Sequence, residues 1–371
     1  MVFALLFSVA LVAGAKPATP AVSAAPVQDS PAIVRITPHG KVRRLMCAVD
    51  HRRARACTRK TRLKLAPGRH TIVVWSIGRG GRSSARRTVP VVVPKPAPAA
   101  VDVGDDPVGI AVRSGALWVS GGSSGEVVRV DPASRQVSAR VVVGGQLGGI
   151  DATSGAVWVS VFGGGEVARI DPATNHVVDR TAVGGQPTGI AADAAGRIWV
   201  GNLAGYASRI DPSNGHVTAT VSLPSGVSTL LPIGGLLWAG LQDGSLVSID
   251  PAAAVVQGSA IPVGADVDAL VDTPSGLWAS TFGGRAARID LSGRTVLRNV
   301  KLPGKGSGIA FAGGHLWVSV FDRRYVVELD PVTGTILGAV HTGAGPRESV
   351  VAGGVLWVAD ESVGKLTPIS P

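Results

Sequence analysis

The chain has 371 residues, of which 50 are Gly, 25 are Pro and eight are Trp, and its net charge is +11. This length provides for two or three domains with a sizeable core. A hydrophobic content of 45% excludes a largely disordered polymer. Abundant glycine beside regularly spaced valine indicates many short strands joined by tight turns, which predicts an all-β protein.

The N-terminal segment has the pattern of an export signal. Residues 2–13, VFALLFSVALVA, form an apolar run too short to span a bilayer comfortably. An A-x-A cleavage pattern ends at Ala15, so residues 1–15 are predicted to be a signal peptide. No Lys or Arg precedes the apolar run. Two alternatives therefore stay open: the true start lies upstream, or the segment remains uncleaved as a short anchor. We expect a secreted, extracellular or cell-envelope protein.

The segment after the signal is predicted to contain a linker and a small domain. Residues 16–30 are rich in Pro, Ala and Ser, which predicts a linker. Residues 31–94 contain alternating apolar positions, as in HTIVVWSI, and are compatible with a small β-sandwich. Cys47 and Cys57 are the two cysteines of the chain, and in an exported protein they most simply form a disulfide. A structural zinc site would need four ligands and is not indicated.

The same segment resembles a bacterial immunoglobulin-like module. In that family a Cys-x-Leu-Asp strand and a following Pro-Cys pair precede the pattern L-x-x-G-x-H-T-F-x-V. Ile72 replaces the phenylalanine of that pattern. The matching positions in this chain are Cys47, Asp50, Cys57, Leu65, Gly68, His70 and Thr71.

Charge is divided unevenly along the sequence. Residues 1–100 contain 18 Lys and Arg against two acidic residues, whereas residues 101–371 contain 18 against 23. The basic N-terminal part predicts contact with an anionic cell-envelope polymer or surface through residues 41–87. Specific nucleic-acid binding is not expected, because Trp75 is the only aromatic residue among the arginines. Solubilising charge without a partner is the alternative.

A forty-residue repeat organises the rest of the chain. Its seven tryptophans recur every 39 to 41 residues, at Trp118, Trp158, Trp199, Trp238, Trp278, Trp317 and Trp357. Such a period is typical of a four-stranded propeller blade, so residues 101–371 are predicted to form a seven-bladed β-propeller. The last repeat lacks its outermost strand. A strand at about 98–104 is predicted to complete it and close the ring. Residues 95–100 are predicted to be a Pro/Ala linker.

The repeat unit VGxxPxGIAVxxGxLWVS…VxRIDPxTxxVVxxxxVG resembles the YVTN-type repeat. The resemblance extends to the wider superfamily of NHL repeats, streptogramin (virginiamycin B) lyases and regucalcin-like gluconolactonases. The third copy carries Pro187, Gly189, Trp199 and the segment RIDP at 209–212. The fourth copy departs, with Thr229 where the inner strand should have glycine. This superfamily contains enzymes and non-catalytic scaffolds, so the resemblance leaves the function open.

An enzymatic function rests on the lyase resemblance alone. That resemblance implies a His/Glu pair with a divalent metal, Mg²⁺ or Ca²⁺, in a C–O lyase or lactonase. The candidates available for it are His341, Glu348 and Glu361. Outside this alternative no cofactor and no metal ligands are predicted.

The variable loops predict a ligand-binding face. In propellers the loops from fourth to first strand and from second to third strand surround one mouth of the central channel, and here they differ between repeats while the framework is constant. Asp268 belongs to the first set of loops. The predicted ligand-binding positions are Asp106, Gln146, Gln186, Asn202, Gln242, Asp266, Phe282, Lys305, Phe321, Asp322, Arg347 and Asp360. The main hypothesis is a monomeric, non-catalytic binding or scaffold protein with an unknown protein or small molecule bound at this face.

Overall fold

The structure, a computed structural model, describes residues 16–153 and 155–371. The chain divides into two compact units, of which unit 1 ends at Pro94 and unit 2 begins at Lys95. The predicted signal peptide, residues 1–15, lies outside the described residues. Among the residues that are described, no helix has the length and apolar character needed to cross a membrane.

Unit 1 consists of two antiparallel sheets that share one core. Its strands are β1 (Ala21–Ser23), β2 (Ala32–Thr37), β3 (Arg44–Val49), β4 (Arg55–Cys57), β5 (Lys60–Leu63), β6 (Gly68–Ile77) and β7 (Arg87–Val93). The strand orders are β1-β2-β5 in one sheet and β4-β3-β6-β7 in the other. Alternate residues such as Val34 on β2 and Val74 on β6 are fully buried between the sheets, as period-two alternation requires.

The predicted linker at residues 16–30 is in part a strand. Ala21–Ser23 pairs with the end of β2, and Val22 packs against the core of unit 1. Farther along, Val27 forms a parallel bridge with Val92. The prolines of this segment did not prevent pairing, because Pro20 lies just before the short edge strand and interrupts no ladder hydrogen bond.

The predicted disulfide is confirmed. Cys47 on β3 and Cys57 on β4 are bonded, and their Cα atoms are 5.9 Å apart. The two strands are direct neighbours, and Cys47 is 1% exposed within the core of unit 1. A buried disulfide in a small sandwich is typical of proteins that fold in an oxidising compartment.

Unit 2 contains seven four-stranded antiparallel sheets within its described residues, 95–153 and 155–371. It begins with β8 (Val101–Asp102). Sheet one contains β9 (Pro107–Arg113), β10 (Ala116–Gly121), β11 (Glu126–Asp131) and β12 (Gln136–Val142). Sheet two contains β13 (Leu147–Ala152), β14 (Val157–Val161), β15 (Glu166–Asp171) and β16 (His176–Ala182). Sheet three contains β17 (Pro187–Ala192), β18 (Ile198–Asn202), β19 (Tyr206–Ile210) and β20 (Val217–Ser222). Sheet four contains β21 (Val227–Ile233), β22 (Leu236–Leu241), β23 (Ser245–Asp250) and β24 (Val255–Pro262). Sheet five contains β25 (Val267–Thr273), β26 (Gly276–Thr281), β27 (Arg285–Asp290) and β28 (Thr295–Lys301). Sheet six contains β29 (Gly306–Ala312), β30 (His315–Val320), β31 (Tyr325–Leu329) and β32 (Ile336–His341). Sheet seven contains β33 (Pro346–Ala352), β34 (Val355–Asp360), β35 (Lys365–Ile369) and β8. A 3₁₀ helix covers Glu361–Val363.

The sheets follow one another around a ring. The first strand of each sheet contacts the first strand of the next, and β33 of sheet seven contacts β9 of sheet one. These first strands are therefore the innermost strands, and the later strands lie progressively outward, in the order that the repeat predicted. The fold is all-β and β-propeller-like.

Sheet seven is assembled from two distant parts of the chain. Val101 and Asp102 on β8 pair with Leu366 and Lys365 on β35, and the Lys365 ammonium lies 3.5 Å from the Asp102 carboxylate. The predicted linker at 95–100 also begins with a backbone contact, because the Lys95 amide donates to the Ala339 carbonyl at the edge of sheet six.

In sheets one to three, an arginine from the repeated segment connects the sheet to the next one. The Arg129 guanidinium lies over the Trp118 ring of its own sheet, 5.2 Å from the ring centre, and donates to the Pro172 carbonyl of the next sheet at 3.1 Å. The same arrangement joins Arg169, Trp158 and Pro212, and again Arg209, Trp199 and Pro251. One side chain therefore combines a cation–π contact with a charged hydrogen bond, which together contribute about 2 kcal/mol.

The aspartate of the Asp-Pro pair caps the turn after the third strand, and in sheets two to four this turn receives the arginine of the preceding sheet. Asp131 accepts a hydrogen bond from the Ala133 amide at 2.9 Å, and Asp171 accepts one from the Ala173 amide at 2.9 Å. The pKa values of both carboxyls lie below the ordinary value because hydrogen bonds favour the ionised form. For Asp131 the Ser134 hydroxyl and then the Ala133 amide lower the pKa, and for Asp171 the Ala173 amide and then the Thr174 hydroxyl do so. The repeated aspartates are structural turn caps.

Close approach of the inner strands explains the repeated glycine and the threonine that replaces it in sheet four. A Cβ at Gly308 would overlap the Arg347 carbonyl of the next inner strand, so no larger residue fits there. Sheet four has Thr229 instead, and Gly240 on the neighbouring strand provides the room, since a Cβ on Gly240 would lie 2.7 Å from the Thr229 methyl. Most other sheets have Ser where sheet four has Gly240, and Ser120 uses its hydroxyl to donate to the Gly148 carbonyl at 2.7 Å.

The arginine contact between sheets has a measurable contribution to stability. Replacing Arg169 by Ala removes the bond to Pro212 and the stacking on Trp158, so we expect the free energy of unfolding to fall by about 2 kcal/mol. Chemical denaturation of the purified chain measures this. Arg298→Ala, on the outermost strand of sheet five, is the control and should leave stability within about 0.5 kcal/mol of the parent. Equal stability of the two variants would contradict the assigned role.

Candidate functional site: the charged mouth of the ring

Two sets of loops meet at the same end of every sheet in unit 2. In sheet one the Gly122 amide donates to the Asp106 carbonyl at 2.7 Å, which ties the loop after the second strand to the loop before the first. Equivalent bonds run from Phe162 to Gln146, Leu203 to Gln186, Gln242 to Gly226, Phe282 to Asp266, Phe321 to Lys305 and Glu361 to Gly345. The structure thus brings together the two loop sets on which the ligand-binding face was predicted.

Several of the predicted ligand-binding residues form hydrogen bonds within these loops. Asn202 is 1% exposed, donates to the Gly184 carbonyl, and accepts bonds from the Gln186 and Ala204 amides. Asp106 accepts from the Ser123 amide at 3.2 Å, and Asp322 accepts from the Lys305 amide at 2.8 Å. These side chains shape the face through their own loops.

Asp360 is likewise a buried residue of sheet seven. It is 0% exposed and accepts a hydrogen bond from the Thr367 hydroxyl. Its second carboxylate oxygen, Oδ1, is buried without a hydrogen-bond partner among the described residues. Burial raises the pKa of Asp360 to about 6. The side chain lies below the surface that a ligand would touch.

The remaining predicted positions are accessible. Gln146, Gln186 and Gln242 are exposed at the tips of the loops in sheets two to four. In sheets five and six, Phe282 and Phe321 form an aromatic pair with ring centres 5.5 Å apart, and the Lys305 ammonium lies 4.8 Å from the Phe282 ring centre. This half of the face therefore presents a partly exposed apolar wall with a cation over it.

Charged side chains converge at the inner strands of sheets five and seven. Arg347 on β33 donates to the Glu361 carboxylate at 2.7 Å. Glu348 follows on the same strand, and Asp268 lies on β25 of sheet five. Asp268, Arg347, Glu348 and Glu361 are named the charged mouth below.

The carboxyls of the charged mouth are held in an unfavourable environment. Burial raises the pKa of Glu348 to about 7, and the charge of Asp268 adds to that rise while Arg347 opposes it. Burial likewise raises the pKa of Asp268 to about 6, and Arg347 again opposes the shift. Both side chains keep partial solvent exposure.

Asp268 and Arg347 interact although sheet six separates their sheets. The intervening position is Ser307, which has a short side chain and uses its hydroxyl to bond the Pro346 carbonyl at 2.8 Å. The Asp268 carboxylate accepts no hydrogen bond from any residue in the described ranges 16–153 and 155–371. Three carboxylates thus surround one guanidinium, and one of them has unused acceptor capacity.

The three lyase candidates are not assembled into one site. His341 lies on the outermost strand of sheet six, with its ring 6.3 Å from the Tyr325 ring and its Nδ1 3.2 Å from the Arg324 carbonyl oxygen. Glu348, in contrast, lies on the innermost strand of sheet seven, and Glu361 is bonded to Arg347.

A divalent metal does not fit these side chains. The positive charge of Arg347 stands among the carboxylates of the charged mouth, which opposes a second cation in direct contact. Within residues 16–153 and 155–371 no group of three or more His, Cys, Asp or Glu is placed to hold a metal ion. The enzymatic alternative stays a prediction from the resemblance.

Unit 1 carries a second feature of interest, its exposed basic surface. Its exposed basic residues include Arg43, Arg44, Arg52, Arg53 and Arg55, which flank the disulfide loop. One of the two acids in residues 16–94 is already paired, since Asp50 accepts hydrogen bonds from the Thr71 amide at 2.8 Å and from His70 at 2.6 Å.

His70 makes a hydrogen bond at each of its two ring nitrogens. Its second ring nitrogen lies 2.7 Å from the Ala66 carbonyl oxygen. Burial works to lower the pKa of His70, but the bonds to Asp50 and Ala66 outweigh it and the pKa is raised. The residues that resemble the immunoglobulin-like pattern therefore tie the loop after β3 to strand β6.

Comparison with known proteins identifies a fold and no closer relationship. No protein-family model and no curated protein matches the chain. Among solved structures, hydrazine synthase from Kuenenia stuttgartiensis is similar, with a TM-score of 0.64 and 20% identity over 71% of this chain and 95% of that chain. The likeness is one of fold. It agrees with the β-propeller-like arrangement of unit 2 and carries no activity over to this chain.

The raised carboxyl pKa values predict a specific pH dependence of stability. A carboxyl with a folded-state pKa above its ordinary value binds protons more tightly when folded, so stability falls as pH rises from about 4 through about 7. Glu348→Gln removes the charge, and we expect a higher melting temperature than the parent at pH 8 and a flatter pH profile. The gain should be roughly 2–4 °C per kcal/mol recovered. Calorimetry between pH 4.5 and pH 8 tests this, and an unchanged profile would contradict the burial of Glu348 as a charged group.

Proposed function

We propose that this chain is an exported, non-catalytic binding or scaffold protein with two functional surfaces. In this proposal unit 2 is a seven-bladed β-propeller that presents a ligand site at the charged mouth, and unit 1 is an immunoglobulin-like module that contacts an anionic cell-envelope polymer or surface. Support comes from the forty-residue repeat, the ring of seven sheets and the loops that vary on a constant framework.

The ligand of the charged mouth is proposed to carry a positively charged nitrogen, as an amine or a guanidinium group. The observation that carries this is the Asp268 carboxylate, which is enclosed, has a raised pKa and accepts no hydrogen bond from the described residues. An ammonium group would donate to Asp268 and Glu348 and let both ionise. The aromatic pair Phe282 and Phe321 would pack against the apolar part of the same ligand.

An organic cation suits this site better than a metal ion does. Asp268, Glu348 and Glu361 exceed the charge of Arg347 by two when all are ionised. An ammonium group needs only a few acceptors at hydrogen-bond distance, whereas Mg²⁺ and Ca²⁺ require at least six oxygen ligands in close contact.

Unit 1 is proposed to bind by charge. The excess of basic residues in the N-terminal part of the chain is large, and the arginines around the disulfide loop are exposed. Asp50 is engaged by hydrogen bonds with the Thr71 amide and His70. Binding by exposed arginines depends on the charge density of the polyanion. Unit 1 should therefore bind chemically different polyanions with similar affinity.

Amine binding at the charged mouth can be measured directly. Titration calorimetry of the purified chain with putrescine, spermidine and a tri-lysine peptide should detect binding that strengthens as pH rises past about 6 to 7, where Asp268 and Glu348 ionise. Asp268→Asn should weaken the affinity by about tenfold to a hundredfold, since a charged hydrogen bond is lost.

The matched control for that variant is on the same strand. Asp272 lies on β25 with Asp268 but is exposed at the other end of the strand, so Asp272→Asn makes the same charge change away from the mouth. It should leave amine affinity within about twofold. Equal effects of the two substitutions, or no amine binding by the parent, would overturn the ligand assignment.

Polyanion binding by unit 1 should depend steeply on salt. Neutralising phosphates or carboxylates releases counterions, so affinity for polyphosphate and heparin should fall at least tenfold between about 50 and 200 mM salt. Replacing Arg52, Arg53 and Arg55 by Gln should lower the affinity for both polymers to the same extent. Salt-insensitive binding, or binding unaffected by this triple substitution, would contradict a charge-driven surface around the disulfide loop.

A further inference from the structure

The four-stranded sheet of unit 1 has one face that its own core does not use. The sheet β4-β3-β6-β7 turns residues such as Leu45, Cys47, Ile72 and Val74 toward the three-stranded sheet, where they are buried. Because side chains alternate along a strand, the residues between them project from the opposite side. Among the described residues of unit 1, no other strand lies on that side.

This outward side is apolar at its centre. Met46 pairs with Trp75 across β3 and β6, and Ala48 pairs with Val73 in the next row. All four side chains are half-buried. Met46, Ala48, Val73 and Trp75 are named the outer face below. Binding to a polyanion through arginines does not require an apolar surface. The outer face, a continuous apolar strip with a tryptophan, therefore indicates an additional apolar contact.

Arginines stand at the edge of the outer face. Arg44 and Arg69 occupy the same side of β3 and β6 by alternation, and both are exposed. Arg86 is also exposed and places its guanidinium 5.0 Å from the Trp75 ring centre. The surface is thus an apolar centre with an amphipathic tryptophan and a positively charged edge.

We propose that the outer face binds the headgroup region of an anionic lipid bilayer. This rests on the proposed function, in which unit 1 contacts an anionic surface, and names that surface. A soluble polyanion would pair with the arginines but would gain nothing from Met46, Val73 and Trp75. A bilayer interface accommodates both parts, because tryptophan favours the headgroup level and arginine pairs with lipid phosphates.

The tryptophans of this chain allow a direct optical test. Trp75 is half-buried, whereas the seven tryptophans of unit 2 are at most 3% exposed. Brominated phospholipids quench only tryptophans that reach the bilayer, so quenching reports on Trp75. The protein used is residues 16–371, which contains both units and omits the N-terminal apolar run. We expect quenching in phosphatidylcholine vesicles with roughly 30% phosphatidylglycerol and none with phosphatidylcholine alone. Trp75→Phe should abolish the quenching and keep most of the vesicle binding in sedimentation.

Two matched double substitutions separate a lipid face from general charge. Arg44→Gln with Arg69→Gln removes two charges from the edge of the outer face, and should weaken vesicle binding about thirtyfold, since each basic residue at an anionic surface contributes about 1 kcal/mol. Arg35→Gln with Arg62→Gln removes two charges from the outward side of the other sheet, and should weaken it less than threefold.

The outcomes distinguish this inference from the proposed function. Equal losses for the two pairs, or vesicle sedimentation without Trp75 quenching, would overturn the lipid assignment, while retained binding to polyphosphate would leave the charge-driven function of unit 1 standing. No binding to vesicles or to polyphosphate would overturn both. Circular dichroism of each variant establishes that unit 1 remains folded. Trp75→Phe is the variant that keeps an aromatic side chain in the outer face and so preserves its packing.

Discussion

An arginine that links one sheet to the next is the interaction on which the arrangement of sheets one to four in unit 2 depends. Arg129 covers Trp118 in its own sheet and bonds the Pro172 carbonyl in the following sheet. The carbonyl is available because Asp171 holds the turn in which Pro172 stands. One contact therefore accounts for four residue types of the repeat, Trp, Arg, Asp and Pro, and it recurs between sheets one and two, two and three, and three and four.

Most of the ring was predictable from the sequence, because a repeated structural contact leaves a repeated sequence. The tryptophan period predicted the order of strands, and the loop positions such as Asp106 and Gly122 meet as expected. Thr229 was recognised as a departure, but its compensation by Gly240 was not, since that requires knowing which residues face each other across two strands. The strand at Ala21–Ser23 was missed because a proline-rich composition does not reveal an edge strand of three residues.

The candidate site was only partly predictable, for a physical reason. Arg347, Glu348 and Glu361 were singled out one at a time, yet their chemistry depends on which partners lie opposite. His341 was expected beside them but belongs to an outermost strand, because strand order converts seven residues of separation into nearly the width of a sheet. The interaction of Asp268 with Arg347 passes across sheet six and leaves no trace in local sequence. Burial then gives those carboxyls the raised pKa values that distinguish them from the exposed Asp272.

The joint between β8 and β35 has a consequence for the order in which the protein is made. Asp102 and Lys365 are 263 positions apart, and their strands belong to one sheet. During synthesis, unit 1 and the first six sheets emerge before the partner strand of β8 exists. For that interval β8 has no neighbour to pair with, and the ring is an open arc with two unsatisfied ends. Cooperativity of the finished ring is therefore acquired in the last step, and the nascent chain depends on short, twisted sheet edges to stay free of its neighbours.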